Sequence, residues 1–132
     1  MKLMYENWRR FLKESQSLSL YIGDHRLSVE VASDEASIQK GLMNRDELSR
    51  NSGMLFIFPQ EKERSFWMKN TNIPLSIAYL DKDGIILNIE DMAPNNTESV
   101  ASKGKAKYAI EVNKGWFDNK KIKPGDRVEG IN

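Results

Sequence analysis

Apolar and polar residues alternate from position 18 to position 31. Leu18, Leu20 and Ile22 fall on one side of an extended chain, and Leu27, Val29 and Val31 repeat the pattern after Gly23-Asp24-His25-Arg26. A period of two marks strands with one buried face, and the turn-rich joint predicts a hairpin with His25 in the turn. Ser33 then offers an N-cap for a short helix, with Asp34 and Glu35 in its first turn and Gly41 to close it. Asp46, Glu47 and Leu48 predict one further helical turn. Residues 54–58, Met-Leu-Phe-Ile-Phe, are apolar on both faces between Gly53 and Pro59. So short a run fits a central strand better than a buried helix.

Residues 60–64 form a charged run that predicts a solvated loop. The next segment, 65–69, predicts a strand with Phe66 and Met68 on one face and Trp67 and Lys69 on the other. Pro74 keeps what precedes it from being helical. Leu75, Ile77 and Tyr79 alternate with Ser76, Ala78 and Leu80, and Asp81-Lys82-Asp83-Gly84 turns the chain into a partner strand at 85–90. The polar stretch 93–107 predicts a long loop. A strand at 108–112, a helical turn within 115–121, a turn at Pro124-Gly125-Asp126 and a last short strand at 127–129 complete the chain. This count of about eight short strands with one or two small helices predicts a mainly β fold: a small antiparallel sandwich or barrel around one core, spanning 18–132.

The opening residues follow a different period. Met4, Trp8, Phe11 and Leu12 recur at helical spacing, and Glu6 and Arg10 stand one turn apart. Residues 1–17 therefore predict an amphipathic helix and linker. It either packs on its own domain or docks on a protein partner with Trp8 and Phe11 as anchors. The stretch 5–12 also resembles short N-terminal segments of some marine phage proteins, which points to a phage or environmental source.

Composition narrows the chemistry. Twenty Lys and Arg against 19 Asp and Glu leave a net charge of +1, which excludes binding to nucleic acid by bulk electrostatic attraction. Residues 103–127 hold a surplus of five positive charges, and 76–100 a deficit of four, yet no aromatic interleaving of the RNA-binding kind accompanies them. Without cysteine there are no disulfides, thiol nucleophiles or thiolate metal sites. The single histidine, His25, excludes multi-histidine zinc sites and has no orienting partner in sequence. The methionines form no copper-type cluster, and Asp81, Asp83, Glu90 and Asp91 miss the calcium-loop spacing. No apolar run is long enough to span a membrane, and charges interrupt any signal-peptide core. The expectation is a cytoplasmic protein with no cofactor, metal, nucleic-acid or membrane partner.

Several motifs carry more information together than apart: Gly41-Leu42-Met43-x-Arg45, Gly53-Met54-Leu55-Phe56-x-Phe58, Phe66-Trp67-Met68-Lys69-Asn70-Thr71 and Ile73-Pro74-Leu75. Glu111, Gly115 and Gly125-Asp126 follow them. In this order and spacing, over about residues 26–129, the chain resembles the bacterial and archaeal domain-of-unknown-function 192 family, also known as uncharacterised protein family 0127. The resemblance implies a compact β domain of jelly-roll or barrel type and no known reaction; many relatives are exported. It also exposes one departure. After Pro74-Leu75 the family commonly has aspartate, where this chain has Ser76; an activity that needs that carboxylate is absent here, and the serine argues against an enzyme.

The candidate site centres on Trp67. Its indole offers a flat apolar surface and one N–H donor, Lys69 a cation on the same side, and Asn70 and Thr71 adaptable polar groups. In a purely structural role the same residues are a strand and its turn. Arg45 and Glu111 are expected either to form a bidentate pair that ties the helix connection to the sheet, or to leave Arg45 free to hold an anionic ligand. Three functions follow. The leading one is a non-enzymatic binding or accessory module for a small molecule, glycan or extended peptide through Arg45, Trp67, Lys69, Asn70, Thr71 and Glu111. The others are a hydrolase or lyase using Arg45 and Glu111 with a water, and an adaptor docking through residues 1–17.

Overall fold

The computed structural model describes residues 17–131. The helix expected over 1–17 lies outside the described residues except for Ser17, which begins the first strand. Strands β1 (Ser17–Ile22) and β2 (His25–Ala32) form the expected hairpin, registered from Ser17–Glu30 to Ile22–His25. Gly23 takes φ 60° in a two-residue loop. His25 is therefore the first residue of β2 and not part of the turn.

The short helix α1 (Glu35–Lys40) follows, capped by Asp34 and not by Ser33. The Asp34 carboxylate accepts from the Ser37 amide at 2.7 Å and the Ser37 hydroxyl accepts from the Asp34 amide at 3.3 Å, a reciprocal capping box. Gly41 ends the helix at φ 50°. No helical turn forms at 46–48. The connection instead returns the chain so that β3 (Ser52–Lys62) runs parallel to β2. The sheet is thus mixed, and the all-antiparallel expectation is corrected at this one pairing.

β3 also runs past Pro59, through an irregularity after Ile57, and rejoins at Lys62 opposite Ala106. The charged run 60–64 is mostly strand and not loop. Only Ser65–Phe66 of the next predicted strand is extended (β4); the chain turns at once afterwards. β5 (Leu75–Leu80), β6 (Ile86–Met92) and β8 (Ala106–Asn113) complete a six-stranded sheet in the order β1-β2-β3-β8-β5-β6. The polar stretch 93–107 is pinned to it: β7 (Val100–Ala101) pairs with β4, and the Tyr79 hydroxyl donates to the Val100 carbonyl at 2.7 Å. A helical turn, α2 (Trp116–Asn119), follows β8.

The sheet curls without closing into a barrel. Its outer strands are laced at one end by residues 126–129, through the Tyr21–Glu129 and Ile85–Arg127 pairs. Two apolar clusters result, one on each face, where a single core was expected. Leu20, Leu27, Leu55, Ala78, Leu80, Ile110 and Val112 fill the face covered by Trp116, Phe117, Ile122 and Val128. Met54, Phe56, Phe58, Ile77, Tyr79, Met92 and Ala109 project from the opposite face and are covered by Leu42, Met68 and Ile73. Central strands apolar on both sides require cover on both sides. Among the described residues no helix is long and apolar enough to cross a membrane.

Candidate functional site

The second face holds a cavity of about 600 Å³. Alternation along β3 sends Met54, Phe56 and Phe58 to this face, and the pairing of β3 with β8 sets Glu111 beside Met54. Phe66, from β4, stands edge-on to Phe56 at 4.8 Å, to Phe58 at 5.9 Å and to Tyr79 at 6.1 Å. Trp67 follows on the rim, 47% exposed. The end of α1 and the following Gly41, Leu42 and Met43 form the facing wall. Gly41 is needed there for its positive φ, which most side chains avoid; an added Cβ would itself sit at ordinary contact distance from the Phe56 ring and the Glu111 carboxyl. Gly53, behind the floor, is needed for space, since a Cβ would lie 2.4 Å from the Glu111 carbonyl oxygen.

Glu111 is the unusual group. It is 5% exposed, lines the cavity, and makes no hydrogen bond or ion pair among the described residues. Burial alone pushes its pKa up to about 8, because the carboxylate would lose water and gain no cation. Near neutral pH it is therefore mostly a neutral acid that can donate a hydrogen bond. Burial, and then the nearby Glu111, push the Tyr79 hydroxyl well above the usual phenol range, so it stays a donor to Val100.

Arg64 forms the other polar end. Its guanidinium lies 4.3 Å from the Phe58 ring centre, and Nη2 donates to the Gln60 carbonyl. Its backbone is held on both sides by Ser102: the Arg64 amide donates to the Ser102 hydroxyl at 2.9 Å, and the Ser102 amide to the Arg64 carbonyl at 2.8 Å. Arg64 Nε is shut off from solvent and has no acceptor among the described residues.

Of the six residues read from sequence, Trp67, Thr71 and Glu111 line the cavity. Thr71 is buried and its hydroxyl donates to the Lys69 carbonyl at 3.2 Å. Lys69 places its ammonium 5.4 Å from the Trp67 ring, as expected of that pair, but the strand ends at Phe66, and Phe66 and Trp67 line the same cavity and not opposite faces. Asn70 is a turn residue at φ 56°, and its carbonyl accepts from the Asn44 amide at 2.9 Å. Neither Lys69 nor Asn70 lines the cavity.

The expected Arg45–Glu111 pair does not form. Arg45 makes a bidentate contact with Glu30, with Nη2 donating to Oε1 at 2.9 Å and Nη1 to Oε2. The register places Glu30, Met54, Glu111 and Ile77 in one row across the sheet. Arg45 meets the half-exposed carboxylate of that row and leaves the buried one alone. It lines a separate concavity of about 320 Å³ that shares Lys40 and Gly41 with the larger one.

Sequence reasoning missed Lys62 and Arg64, which lay in the charged run, and gave Phe56, Phe58 and Phe66 a core role alone. The one available signal was an arginine just before Ser-Phe-Trp. Ser76 lies on the other face: its hydroxyl donates to Asp91 at 2.7 Å and accepts from the Gly115 amide at 3.0 Å. The serine therefore bears on the Gly115 turn and lies away from the cavity. Among the described residues no three His, Cys, Asp or Glu side chains stand together as a metal site.

A comparison with curated proteins finds no match. Among solved structures, one from Sinorhizobium meliloti 1021, described as a "putative transcription regulator", is 34% identical with a TM-score of 0.81, over 86% of this chain and 92% of that one. A protein of unknown function from Novosphingobium aromaticivorans is 33% identical with a TM-score of 0.79, over 86% of this chain and 83% of that one. The family described as uncharacterized ACR, the domain-of-unknown-function 192 family, matches residues 18–130. The cavity-lining Gly41, Phe56, Phe66, Trp67 and Glu111 all fall inside that match, and the chain belongs to this family.

Proposed function

We propose that the protein is a binding module for a small organic molecule seated in the cavity between Trp67 and Glu111. The observation that carries this reading is the Glu111 carboxyl, buried, without a protein partner among the described residues, and set at the base of an aromatic-walled space. A buried polar group without a partner is costly, and a ligand that accepts its hydrogen bond removes the cost. The cavity volume of about 600 Å³ falls in the range of roughly 300–1,000 Å³ usual for such sites. Aromatic walls with few converging polar groups favour a small molecule with an apolar body over a glycan or an extended peptide. Screening a fragment library by two-dimensional amide NMR tests the reading. Shifts should gather at the Trp67 indole and at the amides of Gly41, Thr71 and Glu111. Shifts gathered instead around Trp116 and Phe117, on the other face, would overturn it.

A second reading is favoured by the same carboxyl, poised near pH 8. Here Glu111 moves a proton to or from a bound substrate. It replaces the Arg45–Glu111 chemistry, which the Arg45–Glu30 contact removes. In heavy water, a bound fragment would exchange an acidic C–H for deuterium with the native protein and not with E111Q. Equal exchange with both would sink this reading while leaving the first intact.

A further inference from the structure

The two polar groups of the cavity are not side by side, and their separation describes the molecule that fits between them. Glu111 is level with Met54 on β3. Arg64 lies on Phe58, four residues further along that strand, a distance of about 13 Å at the usual strand rise. Phe56, Phe58 and Phe66 line the space between. One end can donate a hydrogen bond and carries no charge while protonated. The other carries the Arg64 guanidinium, whose Nη1 makes no hydrogen bond among the described residues and whose plane is fixed by the Phe58 ring. Lys40 and Lys62 also line the cavity, and Glu35 is the one other acid there, so with Glu111 protonated the lining carries a surplus of two positive charges.

We infer that this cavity takes an elongated aromatic monoanion, its carboxylate against Arg64 and Lys62 and a neutral hydrogen-bond acceptor, such as a carbonyl or ether oxygen, against Glu111. The inference rests on the small-molecule reading above and names its ligand class. Arginine matches a carboxylate in geometry and charge, aromatic walls match a planar body, and the acid at the far end disfavours a second anion there.

Such a ligand binds the protein with Glu111 protonated, so binding weakens as that group ionises. The charged and titratable groups around it are Tyr79 on β5, Glu90 on β6, Glu30 with Arg45 beside β2, Glu35 and Lys40 on α1, and Lys62 and Arg64 across the cavity. Among them, burial pushes Glu111 up to about 8.

The test uses benzoate, biphenyl-4-carboxylate and 4′-acetylbiphenyl-4-carboxylate with their three carboxamides, measured by calorimetry and amide NMR on the full chain. Affinity should rise with length among the acids, and the longest acid should bind at least tenfold more tightly than its amide. R64Q should remove that preference, as should the K40Q/K62Q double variant in part if R64Q does not fold. For the native protein, acid affinity should fall towards tenfold per pH unit above about pH 8; for E111Q it should stay level. Acids and amides that bind the cavity equally, or a preference that survives R64Q, would overturn the anion assignment and leave the small-molecule reading standing. If neither series moves cavity resonances while the fragment library does, the elongated shape is wrong. If nothing shifts the cavity at all, both readings fail.

Discussion

The two faces of one sheet are built to different rules. On the face covered by α2, apolar side chains meet apolar side chains, and the polar group that is buried there is fully engaged: Ser76 donates to Asp91 and accepts from Gly115. On the other face a carboxyl and a guanidinium nitrogen are buried without protein partners among the described residues, at the two ends of an open space. The same strands supply both faces, residue by residue, because side chains alternate. A face that satisfies all its groups holds the fold together. One that leaves groups unsatisfied gives up stability where a ligand can restore it.

The sharpest break in this contrast comes from Glu111 itself. Between about pH 4.5 and 8 an unfolded chain releases this proton while the folded one keeps it, so stability falls as pH rises across that window and levels off above it. E111Q should abolish the dependence and make the protein more stable above pH 8, by on the order of a few kcal/mol, with little change at pH 4.5. Urea denaturation at several pH values reads this directly, and a variant less stable than the native protein at high pH would mean that an unrecognised partner stabilises the carboxylate. On the well-packed face, Leu55→Ala should cost about 2–5 kcal/mol at every pH, since it opens a void among fully buried neighbours. Ser76→Ala should cost about 1–3 kcal/mol by leaving the Gly115 amide without its acceptor and Asp91 without its donor. Smallest is Trp67→Ala: nearly half of the residue is in water, so the unfolding free energy should fall by about 1 kcal/mol or less while fragment binding at the cavity is lost. A large loss of stability in that variant would turn the rim into part of the core.

Legibility in the sequence followed the same division. The β1–β2 and β5–β6 hairpins were readable because a period of two and a turn signal are local facts. The parallel placement of β3 beside β2 was not, because periodicity carries no strand direction, and a six-residue helix gave little sign of a crossover. Pro59 read as a stop, yet it sits at an irregularity of the strand, where the Lys107 ammonium donates to the Phe58 carbonyl at 2.7 Å and the Pro59 carbonyl at 3.2 Å. Once that strand was cut short, Arg64 fell into a solvated loop and its place over Phe58 was hidden. Trp67, Thr71 and Glu111 could be picked out from their motifs. That Arg45 would bind Glu30 and not Glu111 depends on the register across three strands, which no local pattern records.

The Tyr21–Glu129 pair joins positions more than a hundred residues apart, with each amide donating to the other's carbonyl. β1 therefore gains that neighbour only after residue 129 has left the ribosome. Until then the outer rim of the sheet displays backbone groups that a second nascent copy can recruit. A premature stop just before Asp126 would remove both of the pairs that residues 127 and 129 make, and so leave the outer edges of the sheet without that cover.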